Sequence, residues 1–226
     1  MELRKVDLCL EGFPEELKLI LVDCEIFDSS CGSDAKVYYL DTGFFLKIAE
    51  AGKLKLEAEM IHRFHERGLG VEVVKYISND RDFMLTKAAF GKDCTHYLEH
   101  PKELCETLAK AMRELHAQSI EDMPVSSVME YYETRWGEGE KRLQYDTLIH
   151  GDYCLPNIIL DQMKFSSYID LALAGVGDRH VDIYWVLWSL SYNLKTDEYR
   201  EYFLELYGRE NIDEAILEMI SKIENM

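Results

Sequence analysis

Positive charge is scarce in this chain. Lys and Arg number 25 against 43 Asp and Glu, leaving a net charge of -18 and a pI near 4.8. A field of that sign repels nucleic-acid phosphates and anionic membrane surfaces, and it attracts cations. No local basic patch offsets it, so the expected partners include neither nucleic acid nor membrane. Paired cysteines are lacking too. Cys9, Cys24, Cys31, Cys94, Cys105 and Cys154 are scattered, with no CxxC pair and no metal-type spacing, so a reduced cytoplasmic protein with free thiols is expected. Long apolar runs are also missing. The opening Met1-Glu2-Leu3-Arg4-Lys5 does not resemble a signal peptide, and the most apolar stretch, Ile183 to Leu190, is far too short to span a bilayer. There is no internal repeat, low-complexity tract or long linker. What remains is ordinary globular composition, 226 residues at 47% hydrophobic and 30% charged, enough for one large domain or two small lobes with a real core.

The first part of the chain reads as strands. Cys24 to Phe27 leads into the small-residue cluster Ser29–Asp34; Ala35–Leu40 and Phe44–Ala49 then flank an Asp41-Thr42-Gly43 hairpin turn. Leu54 to Arg67 has helical spacing of Leu54, Ala58, Ile61 and Phe64, stopped by Gly68. Strands at Val71–Ile77 and Phe83–Thr86 follow. Beyond Gly91 the pattern turns helical: Pro101 to His116, Val128 to Leu143 (weakened by Gly137 and Gly139), and three helices from Val181 onward broken near Asn193 and Gly208. Short strands are expected around Leu148–His150, Ile158–Leu160 and Phe165–Ile169. The reading is α+β: a strand-rich lobe, 1–87, with one inserted helix, and a larger, mainly helical lobe, 88–226.

The segment richest in chemistry is His150-Gly151-Asp152-Tyr153-Cys154-Leu155-Pro156-Asn157, with Tyr168-Ile169-Asp170 after it. Phosphoryl transfer needs a carboxylate that accepts the proton of the attacking hydroxyl, and an Asn and a second carboxylate that hold the metal bridging the phosphates. Asp152 suits the first role, Asn157 and Asp170 the second, and Mg2+ is satisfied by two hard oxygen ligands plus phosphate and water. Alone, either Asp would read as a solvated loop carboxylate. Upstream, Lys47 sits in the apolar strand Phe44-Phe45-Leu46-Lys47-Ile48, where burial without a partner is costly. The inserted helix offers Glu59 as that partner; alone, Lys47 would equally suit an edge-strand side chain reaching for solvent. The pairs His62/His65 and His96/His100 have helical metal spacing but no third ligand nearby, and read as surface histidines. Trp185 and Trp188 read as core.

The HGDxxxxN segment, the Ile-Asp that follows, and Gly177-Asp178-Arg179-His180-Val181-Asp182-Ile183 resemble the aminoglycoside phosphotransferase family, most closely its 3′-phosphotransferase branch. The similarity runs over nearly the whole chain. It departs from protein kinases in having His-Gly-Asp for His-Arg-Asp, Leu171-Ala172 after Asp170, and Gly32-Ser33-Asp34 where a glycine-rich loop would stand. The resemblance implies a bilobal protein-kinase-like fold and an ATP- (or GTP-) and Mg2+-dependent kinase. It assigns Lys47 to the nucleotide phosphates with Glu59 as its helix partner, and Ser33 to the same phosphates. Phe45 becomes the aromatic stacked on adenine, and Thr86, Lys87 and Ala88 part of the hinge whose backbone bonds the base. Asp152 is then the catalytic base, Asn157 and Asp170 the magnesium ligands. Asp178 and Asp182 would brace the catalytic loop and cap the next helix, and His116 would pack beside that loop.

On the substrate side, the resemblance implies a polycationic aminoglycoside held by carboxylates. Glu130, Glu133, Glu138 and Glu140 lend acidity to the segment before the loop. Tyr192-Asn193 stand where relatives carry an acidic pair. Glu224 matches an aminoglycoside-contacting position, with the terminal carboxylate of Met226 beside it; a frayed terminus is the alternative. Two further readings stay open: a kinase of another small hydroxylated compound, such as an amino alcohol or sugar, and a nucleotide-binding module without turnover.

Overall fold

In the computed structural model, which describes residues 4–30, 35–136 and 142–226, the chain divides into two units, Met1–Ala88 and Ala89–Met226. The first contains β1 (Arg4–Lys5), α1 (Glu15–Leu21), β2 (Ile26–Asp28), β3 (Ala35–Leu40), β4 (Phe44–Glu50), α2 (Lys55–Glu66), β5 (Val73–Ser78) and β6 (Arg81–Lys87). Its strands form one antiparallel sheet in the order β1-β2-β3-β4-β6-β5. Gly43, at φ +85°, lets the β3–β4 turn close with Leu40 opposite Phe44. Strand alternation then decides which side chains meet. Leu46 and Ile48 of β4 point into a core with Leu40, Phe83, Leu85 and the α1 residues Leu17 and Leu21. Phe45 and Lys47 therefore lie on the opposite face, in register with Thr86 and Met84 of β6.

Helix α1 is absent from the sequence-based expectation. It spans seven residues and has no side-chain N-cap bond, so its periodic signal is little more than Leu17 and Leu21. Burial of those two leucines against the sheet accounts for its folding.

The second unit contains β7 (Lys92–Asp93), α3 (Pro101–His116), α4 (Val128–Glu133), β8 (Thr147–Ile149), β9 (Ile158–Asp161), β10 (Lys164–Tyr168), β11 (Gly175–Gly177), α5 (Arg179–Leu194), α6 (Arg200–Tyr207) and α7 (Glu214–Glu224). The strands make two small sheets, β10-β9-β7 and β11-β8. Helix α3 starts at its proline and buries Leu104, Leu108, Ala111 and Leu115, as its spacing predicts. Helix α4 ends at Glu133, well before the expected Leu143; residues 137–141 lie outside the described residues. Val128, Met129 and Tyr132 of α4 pack with Val181 of α5 and with Ile216, Ile220 and Ile223 of α7. Among the described residues, no helix is long and apolar enough to cross a membrane.

Candidate active site

In the first unit, the candidate residues gather on the Lys47 face of β4. Lys47 Nζ lies 2.8 Å from both carboxylate oxygens of Glu57, which is only 4% exposed. Glu59, the expected partner, instead binds Arg63 at 2.8 Å on the exposed side of the helix. Helical phase explains the correction. Glu57 falls within the stripe of Leu54, Ala58, Ile61 and Phe64 that α2 turns inward, and Glu59 lies away from it. A bidentate contact to a buried carboxylate compensates the desolvation of the ammonium.

What positions Glu57 is Asp82, a buried residue of β6 that the sequence does not single out. Its oxygens accept from the N–H groups of Gly52 and Leu54 (2.9 and 2.8 Å) and from Ser78 and Tyr76 hydroxyls (2.6 and 3.0 Å). The connection that starts α2 is thereby pinned to the sheet. Burial would raise the Asp82 pKa, but these donors outweigh it and hold the carboxyl below its ordinary value.

Phe45 contacts Tyr39, with ring centroids 5.2 Å apart, and Thr86 is its register partner. The backbone N–H groups of the expected hinge are engaged within the unit: Lys87 N donates to Glu72 O and Ala88 N to Gly43 O. The Lys87 side chain also pairs with Glu72, at 2.6 Å. Ser33 lies outside the described residues, as do Glu138 and Glu140.

In the second unit, the candidate residues gather on the loop joining β8 to β9. Asp182, fully buried on α5, accepts from the backbone N–H of His150 at 2.9 Å and of Gly151 at 2.8 Å, and from His116 Nε2 at 3.1 Å. Because a carboxylate only accepts, His116 carries its proton on Nε2; its Nδ1 meets the Tyr207 hydroxyl at 2.8 Å. Gly151 has φ +83°, and a Cβ there would sit 2.2 Å from the Leu173 carbonyl oxygen, so no larger residue fits without moving the backbone. His150 is enclosed by Tyr153 and Tyr168, whose hydroxyls meet at 3.1 Å. Burial pushes both phenols well above their ordinary pKa.

This bracing fixes Asp152 and Asn157 together. Asn157 Nδ2 donates to Asp152 Oδ2 at 2.8 Å and to the Asp152 carbonyl at 3.0 Å. Ile169 joins the third residue to the same loop: its N–H donates to Asn157 O at 3.0 Å, and its carbonyl accepts from His150 Nε2 at 3.0 Å. Asp170 follows immediately, exposed and in the left-handed region at φ 58°, ψ 57°, a conformation Asp tolerates better than most residues. Cys154 also lies inside the loop. Burial, then the neighbouring Asp152, pushes its thiol far above its ordinary pKa.

The donor set suits a hard cation. Since the Asn157 amide nitrogen faces Asp152, its Oδ1 is oriented as an acceptor, and Asp170 supplies a carboxylate. Among the described residues, no group of three or more His, Cys, Asp or Glu could hold a metal. A cation here would draw its remaining oxygens from phosphate and water, the habit of magnesium.

Asp178 caps α5, accepting from His180 N at 2.9 Å, from His180 Nδ1 at 2.6 Å and from Gln144 N at 2.8 Å. Glu224 accepts from the buried Tyr132 hydroxyl at 2.7 Å. Met226 is 90% exposed, although its N–H reaches Ile223 O at 3.3 Å.

The chain matches the phosphotransferase enzyme family over residues 30–144 and 140–218. A probable aminoglycoside 3′-phosphotransferase of Lactococcus lactis subsp. lactis (strain IL1403) is 39% identical over 96% of each chain. An aminoglycoside 3′-phosphotransferase of Niallia circulans is 30% identical over 90% of this chain and 93% of its own. Among solved structures, an aminoglycoside-3′-phosphotransferase of type VIII superposes with TM-score 0.76 at 24% identity, covering 92% of this chain and 96% of that one. The α+β, kinase-like fold class expected from the sequence is thus the one observed.

Proposed function

This chain belongs to the aminoglycoside phosphotransferase family, and from that premise we propose that it transfers the γ-phosphoryl group of ATP, or GTP, to a hydroxyl of an aminoglycoside. The observation that carries the reading is the Asp152–Asn157 contact at 2.8 Å on a loop whose backbone is held by buried Asp182. In the proposed reaction Asp152 accepts the hydroxyl proton as the new O–P bond forms and the bond to the leaving nucleoside diphosphate breaks. Magnesium, when bound, would neutralise phosphate charge, with Asn157 and Asp170 as its protein ligands. Residues 1–87 form the nucleotide-binding lobe in this assignment. Lys47, held by Glu57, serves the phosphates, and Phe45 and Thr86 share the face suited to the base. With the Lys87 and Ala88 N–H groups engaged, base-edge bonds from that stretch fall to its carbonyl oxygens.

Residues 88–226 supply the base and the substrate carboxylates. Glu224, oriented by Tyr132, receives a protonated amine. A charge-assisted bond of this kind contributes roughly 1.5–3 kcal/mol. A coupled assay of nucleoside diphosphate release, run with a panel of aminoglycosides and amino alcohols, tests the reading. Stimulation by aminoglycosides is expected, and stimulation by amino alcohols alone would reassign the substrate.

A further inference from the structure

Helix α5 grips the β8–β9 loop at two points, and Asp182 is only the first of them. Asp182 accepts from the N–H groups of His150 and Gly151. Seven residues further along α5, which is about two helical turns, Ser189 lies on the same buried face at 1% exposure. Its Oγ accepts from the N–H of Leu155 at 3.0 Å. Asp152 sits between the two anchored stretches of backbone.

Leu155 opens the single 3-10 turn Leu155–Asn157. The first N–H groups of such a turn find no partner inside it. Cys154, just before it, makes no side-chain capping bond, and Pro156 has no N–H to offer. Ser189 therefore supplies, from another element, the cap that the turn's own sequence lacks. The turn ends at Asn157, whose N–H closes on the Cys154 carbonyl at 2.9 Å and whose side-chain amide holds Asp152 Oδ2 at 2.8 Å.

The Ser189 hydroxyl is itself held. Asn193, one turn on, donates from Nδ2 to the Ser189 carbonyl at 2.7 Å and to Ser189 Oγ at 3.3 Å. A hydroxyl oxygen has two acceptor lone pairs, and Leu155 N–H and Asn193 Nδ2 occupy both. The Ser189 proton is then left to turn toward Cys154, whose thiol has hydrogen-bonding interactions with Ser189 and with Asp152. The Asn193 amide is thus spent on its own helix and, through it, on the loop.

We propose that Ser189, steadied by Asn193, is a positioning residue for phosphoryl transfer: it caps the turn that carries Asn157 and so keeps the Asp152 carboxylate aimed at the attacking hydroxyl. Ser189 is buried and acts through Leu155 and Asn157, without touching the reacting atoms. The proposal rests on the phosphotransfer reading above and adds a second anchor to the one that Asp182 provides.

The test uses the full-length chain with ATP and kanamycin as the probe. Ser189→Ala should lower kcat about tenfold while both KM values stay within about twofold, the mark of a misaimed base rather than lost binding. A kcat within about twofold of the parent overturns the proposal. Amide NMR of the same variant, without substrates, reads the geometry directly and decides the matter even if no aminoglycoside is turned over. The Leu155 N–H should exchange faster and the Asn157 side-chain amide signal should move, while the His150 and Gly151 N–H groups stay protected by Asp182. An unmoved Asn157 signal overturns the proposal, and so does lost protection at His150 and Gly151 as well, which would mean a general loosening. Asn193→Asp, at a half-buried position, keeps the test alive if Ser189→Ala does not fold. It removes the donor to Ser189, so kcat should fall about threefold with kanamycin KM not lowered. A lowered kanamycin KM at unchanged kcat would make Asn193 a substrate contact instead and overturn its place here.

Discussion

Lys47 in the first unit and Asp152 in the second are both held by buried carboxylates, but by opposite routes. Glu57 grips the Lys47 side chain directly, through both oxygens. Asp182 never touches the Asp152 carboxylate; it accepts from the backbone of His150 and Gly151 and so fixes the loop from which Asp152 projects. The difference fits the two tasks proposed for these residues. A cation serving phosphates needs its charge directed. A base must keep a carboxylate oxygen available for the incoming proton, so its position is set through the main chain.

The largest effect expected from this contrast is on turnover. Asp152→Asn should lower kcat by about 10²–10⁴, with thermal stability almost unchanged because no buried partner is removed; steady-state kinetics alongside thermal melts check both halves. Asp182→Ala should lose activity and stability together. It deprives two backbone N–H groups and His116 of their acceptor, and removing one member of such a buried set costs about 3–5 kcal/mol. A stable, active Asp182→Ala variant would remove the bracing argument.

Next in size is the Lys47 pair. Glu57→Gln takes away the carboxylate that Lys47 binds, and kcat/KM for ATP should fall about tenfold or more. Glu59→Gln should leave kinetics unchanged and cost at most about 0.5 kcal/mol, the worth of an exposed i,i+4 ion pair. Equal kinetic losses in the two variants would restore Glu59 as a partner.

The smallest effect is a pH dependence. Asp82 is held below its ordinary pKa in the folded chain. Its contribution to stability is therefore fully present above the unfolded value, near 3.9, and is lost as pH falls through the lower folded value. Asp82→Asn should flatten the acid limb of a urea-midpoint profile and change little between pH 6 and 8. A steeper acid limb in the variant contradicts the sign.

These contrasts also mark what the sequence could reveal. The segment from His150 to Asn157 is contiguous, so the pairing of Asp152 with Asn157 is visible as spacing, and strand alternation alone separates Lys47 from the core face of β4. The partner of Lys47 lies at the other end of a helical phase problem. Leu54, Ala58, Ile61 and Phe64 define a stripe that includes Glu57 and excludes Glu59. Asp82 and Ser189 carry no such signal. Their roles come from backbone N–H groups distant in sequence, Gly52 and Leu54 for one and Leu155 for the other. Helix α1 is hidden for a related reason, since two leucines become a buried face only once the sheet exists to cover them. Trp188, expected in the core, is half-exposed because periodicity reports a face of α5, not how far that face is covered.

Phosphorus NMR of the isolated reaction product is the most direct test of the central claim. The chain, ATP, magnesium and an aminoglycoside should yield a phosphate monoester on a ring hydroxyl, coupled to a single carbinol proton, with the Asp152→Asn variant giving none on the same timescale. Inorganic phosphate as the sole new signal, or ester formation at equal rates in both proteins, would contradict it.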